Sequence, residues 1–169
     1  RATALKVAER GGIPLLLARR ADELAQAVAQ IEAAGGRAYA YPVDLTNADE
    51  LEAAAAKILA EHDHVDMLVN NAGRSIRRSF ESAVHRFHDY ERCMNINYYA
   101  AVQLMQALVP SMQRRQFGHI VIVSSAGAQA HPPRFSAYVA SKAALEGFTR
   151  VVASELLGDG ITFTTIHMP

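Results

Sequence analysis

Apolar residues along this chain fall into short unbroken runs and longer segments with a period near 3.6, an alternation that predicts strands separated by helices. Ala2 to Glu9 reads as the end of a helix stopped by Gly11-Gly12. Ile13 to Ala18 is a continuous apolar run suited to a buried strand, with Pro14 tolerable only near its start. Ala21 to Ala34 carries Leu24, Val28 and Ile31 at helical spacing and closes at Gly35-Gly36, after which Arg37 to Val43 alternates into a second strand. Asp44 then stands at that strand's carboxyl end. Thr46 or Asn47 can cap a helix running to about Glu61, and Val65 to Val69 predicts a third strand. A long helical stretch from about Phe87 to Met112 is followed by a break at Gly118, and His119 to Val123 predicts a fourth strand. Ala126 to Phe135 reads as a loop, Ser136 to Leu157 as a helix, and Ile161 to Ile166 as a fifth strand.

Strands that alternate with helices of a dozen or more residues imply a parallel sheet covered on both faces, the doubly wound α/β architecture. Ligands in such sheets lie beyond the carboxyl ends of the strands, which directs attention to Arg19-Arg20, Asp44, Asn70 to Gly73 and Ser124-Ser125.

The 169 residues, half of them apolar, suit one domain with a sizeable core. Seventeen basic residues balance seventeen acidic ones, so the chain has no broad field to attract nucleic acid or an anionic membrane. No run approaches the roughly 20 apolar residues of a membrane span, and the N-terminal residues lack the apolar stretch of a signal peptide. A soluble, cytoplasmic protein is expected. The lone Cys93 is expected to be a buried core thiol. His62-Asp63-His64, and His85 with His88, place donor atoms at short spacing without a complete ligand set, so no metal site is expected.

Tyr138 and Lys142 are four apart in a predicted helix and project from one face, so an ammonium can lie near a phenol. A free tyrosine has a pKa of about 10, and a neighbouring cation that stabilises phenolate suits it to proton transfer near neutrality. The same spacing also suits an ordinary surface pair. Ser125 ends an apolar strand thirteen residues earlier and can polarise a carbonyl oxygen, or merely cap a turn. Asn97 sits in a predicted helix, where asparagine competes with the backbone for hydrogen bonds; it is either a surface position or a residue kept for its chemistry. In Asn70-Asn71-Ala72-Gly73 the small residues permit close approach to a ligand, although a turn without a ligand also fits.

Together, Asp44-Leu45, Asn70-Asn71-Ala72-Gly73, Asn97, Ser124-Ser125 and Tyr138-Val139-Ala140-Ser141-Lys142 resemble the short-chain dehydrogenase/reductase superfamily in order and spacing over nearly the whole chain. The resemblance implies a Rossmann-like, NADP-binding reductase domain over residues 1–169. It implies Tyr138 as catalytic acid/base, Ser125 as the hydroxyl that polarises the carbonyl, and Lys142 as the residue that lowers the Tyr138 pKa and binds the nicotinamide ribose. Asn97 would position a proton-relay water, Asp44 and Leu45 would meet the adenine, and Asn71, Ala72 and Gly73 would line the ribose side. Arg19-Arg20 stand where a carboxylate would bind a free 2′-hydroxyl, and their charge favours the 2′-phosphate of NADPH over NADH.

The strings Asn71 to Ser79, Phe87 to Arg92 and Ile161 to Pro169 look like the reductase domain of bacterial fatty acyl-CoA reductases. That likeness implies hydride delivery to an acyl thioester, with a ketone or other small carbonyl compound as the alternative substrate. A nucleotide-sensing or scaffolding domain without turnover is the competing function. Arg77 and Arg78 are expected to form a solvated basic loop, with an anionic carrier as the alternative contact. The superfamily's first strand, its glycine-rich phosphate turn and its last strand do not occur in the sequence, so a fragment of a longer protein is expected. Apolar helical faces around Ala100 to Val109 and Ala143 to Leu156 suit a subunit interface or simple core packing equally well, and the resemblance implies homo-oligomers formed through these two helices.

Overall fold

Strands and helices alternate as the periodicity predicts. In the computed structural model, which describes residues 1–169, the chain divides into two units, residues 1–58 and 59–169.

The first unit opens with α1 (Ala2–Glu9), β1 (Leu15–Ala18), α2 (Ala21–Ala33) and β2 (Tyr39–Pro42), and most of α3 (Ala48–His62) follows. β1 pairs with β2 in parallel, Leu15 opposite Tyr39. Pro14 stays outside the strand because it has no N–H, yet its carbonyl still accepts from Tyr39 N at 3.0 Å. Ala4, Ile31 and Ala38 bury together, with Leu5, Ala8, Leu16 and Val28 packed around them. Asn47 starts α3 as predicted: its Oδ1 accepts from Asp49 N at 3.2 Å and from Glu50 N at 3.3 Å.

The second unit carries β3 (Met67–Asn70), α4 (Phe80–Ala83), α5 (His88–Met94), a π-helical turn (Asn95–Tyr99) and α6 (Ala100–Arg115). Then come β4 (Gly118–Ser125), α7 (Gly127–Ala130), α8 (Ser136–Glu155), a 3₁₀ turn (Leu157–Asp159) and β5 (Ile161–Met168). The sheet is parallel in the order β3-β4-β5, with Asn70 opposite Ile122 and Ser125 opposite Met168. Parallel sheets flanked by helices make this the doubly wound, Rossmann-type α/β fold. The helix predicted over Phe87 to Met112 is not uniform, because a π turn interrupts it at Asn97. The predicted loop after Ser125 contains the helical turn α7. No helix is long and apolar enough to cross a membrane.

Central strand β4 organises the second core, with Ile120 and Ile122 fully buried alongside Met105 and Met112 of α6, Leu145 of α8 and Ile161 of β5. Cys93 is buried as expected. Burial pushes its thiol pKa up, and the nearby Asp89 charge adds to the shift. Gly160, between the 3₁₀ turn and β5, has φ +68°, and a Cβ there would fall 2.1 Å from the Gln116 carbonyl oxygen, so no other residue fits that turn. Ile122→Ala should destabilise the protein by roughly 2–5 kcal/mol, from lost apolar burial and the cavity left in a close-packed strand. Urea unfolding of the full-length protein checks this, and a loss below about 1 kcal/mol would mean that the site collapses around the gap.

Candidate active site

α8 begins without a side-chain cap or an acidic residue in its first turn. Tyr138 lies in that turn, half-buried, and its ring meets Phe135 edge-on with centroids 6.4 Å apart. The Tyr138 hydroxyl makes no hydrogen bond within the chain. One turn on, Lys142 is buried and its Nζ donates to the Val123 carbonyl oxygen at 2.7 Å. Val123 lies two residues before Ser125, so α8 delivers the ammonium to the carboxyl end of β4. Burial pushes the Lys142 pKa below the usual lysine range, and the Glu146 carboxylate acts in the opposite sense. Ser125 Oγ accepts from Gly127 N at 3.1 Å, which leaves its proton free to donate.

The π turn carries Asn97 inward. Its Oδ1 accepts from Arg74 N at 2.7 Å, and its Nδ2 donates to Arg74 O at 2.9 Å and to Ser141 Oγ at 2.8 Å. Ser141 Oγ in turn donates to Tyr138 O at 2.7 Å. One asparagine thereby ties the loop after β3 to the helix of Tyr138 and Lys142. A π turn inserts one extra residue into the helical ladder, and such insertions recur at functional positions. Gly73 is part of the same cluster, since a Cβ there would lie 3.0 Å from Asn97 Oδ1 and 3.5 Å from Lys142 Nζ. Asn70 ends β3 buried, and its Nδ2 has no hydrogen-bond partner. Asn71 and Ala72 are exposed beside it.

Asn97, Gly73 and Lys142 are therefore brought together, with Tyr138 one helical turn from Lys142 and Ser125 at the end of the strand that Lys142 touches. Arg78 differs from the expected solvated loop: its Nε donates to the buried Asp89 Oδ2 at 2.7 Å, and Arg86 Nε lies 3.3 Å from the same oxygen. A buried carboxylate is retained because these guanidiniums offset its desolvation, and the Arg78 hydrogen bond holds the Asp89 pKa below the usual range. Arg77 is exposed. Sequence reasoning also missed Ser141, Glu146 and His167; the only signal was a carboxylate one turn beyond Lys142 on an otherwise apolar helical face. No group of three or more His, Cys, Asp or Glu side chains is placed to hold a metal ion.

The first unit carries the other candidate positions. Arg19 and Arg20 follow β1 and are exposed, and Arg20 Nη1 pairs with Glu23 Oε1 at 2.6 Å. Asp44 follows β2, where the Thr46 N–H and hydroxyl hold its pKa down, with a smaller contribution from the Arg19 charge. The adjacent Leu45 is buried.

The family model described as short chain dehydrogenase matches residues 1–169. An uncharacterized oxidoreductase of Mycobacterium tuberculosis is 47% identical over 170 residues, covering 99% of this chain and 50% of the relative. A fatty acyl-CoA reductase of Acinetobacter baylyi is 46% identical over 166 residues, covering 98% of this chain and 56% of the relative. The chain thus spans about half the length of these curated relatives. A metagenomic short-chain oxidoreductase solved in complex with NADP superposes with a TM-score of 0.93 at 30% identity, covering 98% of this chain and 75% of that one. The residues gathered at the end of β4 and on α8 thus lie in an oxidoreductase sequence, and the chain belongs to the short-chain dehydrogenase family.

Proposed function

We propose that this chain is the catalytic part of an NADPH-dependent carbonyl reductase whose first substrate to test is a fatty acyl thioester. The observation that carries the reading is Lys142 Nζ on the Val123 carbonyl, which brings a buried cation to the end of β4, two residues before Ser125, from a helix that carries Tyr138 one turn upstream. The residues present fit a nicotinamide dinucleotide: only glycine at position 73 leaves close access to Asn97 and Lys142, and Asn70 offers an unpartnered buried amide. When bound, that cofactor supplies hydride to the carbonyl carbon.

In this reading Ser125 donates a hydrogen bond to the carbonyl oxygen as negative charge develops, and Tyr138 delivers the proton. Lys142 stabilises the phenolate left behind and holds the nicotinamide ribose. Asn97 locks the loop that carries Arg74 to α8, and its remaining Oδ1 lone pair serves the water that reprotonates Tyr138. Asn71, Ala72 and Gly73 line the ribose, and Asp44 and Leu45 meet the adenine. With an acyl thioester, addition of hydride and a proton gives a thiohemiacetal, which releases the thiol and leaves an aldehyde. Arg19, and Arg20 once freed from Glu23, bind the 2′-phosphate. The identity with a fatty acyl-CoA reductase supports the thioester, structural relatives solved with NADP, NAD+ and NADH support a nicotinamide dinucleotide, and the Arg19-Arg20 charge favours its 2′-phosphate form. The same reading makes the protein a cytoplasmic homo-oligomer, associating where Tyr99 and Val151 lie exposed beside α6 and on α8.

The test is product analysis with the full-length protein, NADPH or NADH, and a chain-length series of acyl-CoAs beside aldehydes and ketones. Aldehyde should form from long acyl-CoA with NADPH favoured at least about tenfold, and Arg19→Asp should reverse that preference, as charge complementarity to the 2′-phosphate requires. NADPH binding with no turnover on any carbonyl would defeat the reading and favour a nucleotide-sensing domain.

A further inference from the structure

Three charged side chains are buried: Asp89, Lys142 and Glu146. Asp89 has its own cations in Arg78 and Arg86. Lys142 has one hydrogen-bond acceptor, the neutral Val123 carbonyl, and a buried ammonium satisfied only by a dipole is costly. Glu146 lies one turn further along the same buried face of α8, and positions four apart on a helix have Cβ atoms about 6 Å apart.

The carboxylate of Glu146 is itself anchored. Ser124 Oγ on β4 donates to its Oε1, from the residue next to Val123, which accepts from Lys142. His167 Nε2 on β5 lies 3.1 Å from the same oxygen, and Arg150 Nη2 on α8 lies 3.7 Å from Oε2. The Arg150 side chain is 80% exposed, so water screens it and it does not neutralise the carboxylate. The charged and titratable groups around Glu146 are thus Lys142 and Arg150 on its own helix and His167 on β5, with β4 contributing the Ser124 hydroxyl.

We propose that Glu146 is a positioning residue of the active site, whose carboxylate, tied to β4 through Ser124 and set against His167 on β5, is the counter-charge that keeps the Lys142 ammonium buried and charged beside Tyr138. The inference rests on the proposed function for the meaning of Lys142, but not for the electrostatics. Burial drives Lys142 toward its neutral form and Glu146 opposes this. A neutral Lys142 would leave a Tyr138 phenolate without its stabilising cation.

The primary test reads Lys142 directly. In the full-length protein labelled with 13C-lysine, the Lys142 side-chain resonance is identified by its loss in Lys142→Arg and then titrated. Glu146→Gln, which keeps an oxygen acceptor for Ser124 and removes the charge, should lower the midpoint by about one pH unit, a tenfold loss of proton affinity. Ser124→Ala, which keeps the charge but frees the carboxylate from β4, should lower it by a smaller amount. If the Gln variant does not fold, Ser124→Ala and Glu146→Asp carry the test, and an unmoved midpoint in both overturns the proposal.

The second readout is the pH profile of kcat/KM for carbonyl reduction. Removing a negative charge lowers the proton affinity of a cation near it, so Lys142 gives up its proton at lower pH. The alkaline limb should therefore move to lower pH in Glu146→Gln. A merely structural role would depress the rate at every pH without moving the limb. If no carbonyl compound is reduced at all, the proposed function fails while the lysine titration still decides the role of Glu146.

Discussion

Tyr138→Phe should lower kcat/KM for carbonyl reduction by about 10²–10⁴-fold, the usual worth of a positioned general acid, while NADPH affinity stays close to that of the parent. The substitution removes one hydroxyl that makes no hydrogen bond within the chain, and the edge-on ring contact with Phe135 remains. Fold stability should therefore change by less than about 1 kcal/mol, since no buried partner is left unsatisfied. Stopped-flow turnover beside fluorescence titration of NADPH separates the two effects. A variant that keeps more than about a tenth of parental turnover would mean that some other group delivers the proton, and the enzymatic role of the α8 cluster would have to be reassigned.

Lys142→Met should cost about 10²–10³ in kcat, the range found when one fixed stabiliser of developing charge is removed. Methionine keeps an unbranched stem in the same buried slot and deletes both the ammonium and its bond to the Val123 carbonyl. The pH profile should change as well. Burial lowers the Lys142 pKa, so the parent enzyme loses the ammonium as pH rises through a value below the ordinary lysine range of about 10.4. The parent's alkaline limb should include that loss, and the Met variant's should not. On the role proposed for Glu146, methionine also leaves that carboxylate buried without its counter-charge, with His167 Nε2 at 3.1 Å and the exposed Arg150 as its remaining charged or titratable neighbours. The double variant Lys142→Met with Glu146→Gln should accordingly recover thermal stability relative to Lys142→Met, but none of the lost turnover. Recovery of activity in the double variant would show that charge balance, rather than the ammonium itself, was limiting.

Much of the site was legible before any coordinate. Tyr138 and Lys142 share a face because a helix turns once in 3.6 residues, and Ser125 ends an apolar run whose length limits it to a strand. Asn97 stood out because asparagine suits a helix interior poorly, and the structure resolves the anomaly with a π turn that spends the amide on Arg74 and Ser141. Arg78 was misjudged as solvated, because its partner Asp89 lies eleven residues away across a segment with no regular period. Glu146 passed unnoticed for the same reason: its partner Ser124 is 22 residues upstream and His167 lies on another strand.

The sequence by itself determined the order of strands and helices, the parallel α/β class and the shared helical face of Tyr138 and Lys142. These follow from periodicity and spacing within one element, where the backbone geometry is known in advance. Tertiary structure alone decided which buried charges are paired, that Asn97 serves the backbone of Arg74, and that Lys142 reaches the end of β4. Those outcomes depend on residues far apart in the chain meeting at one point, where desolvation makes each unpaired charge too costly to leave to chance.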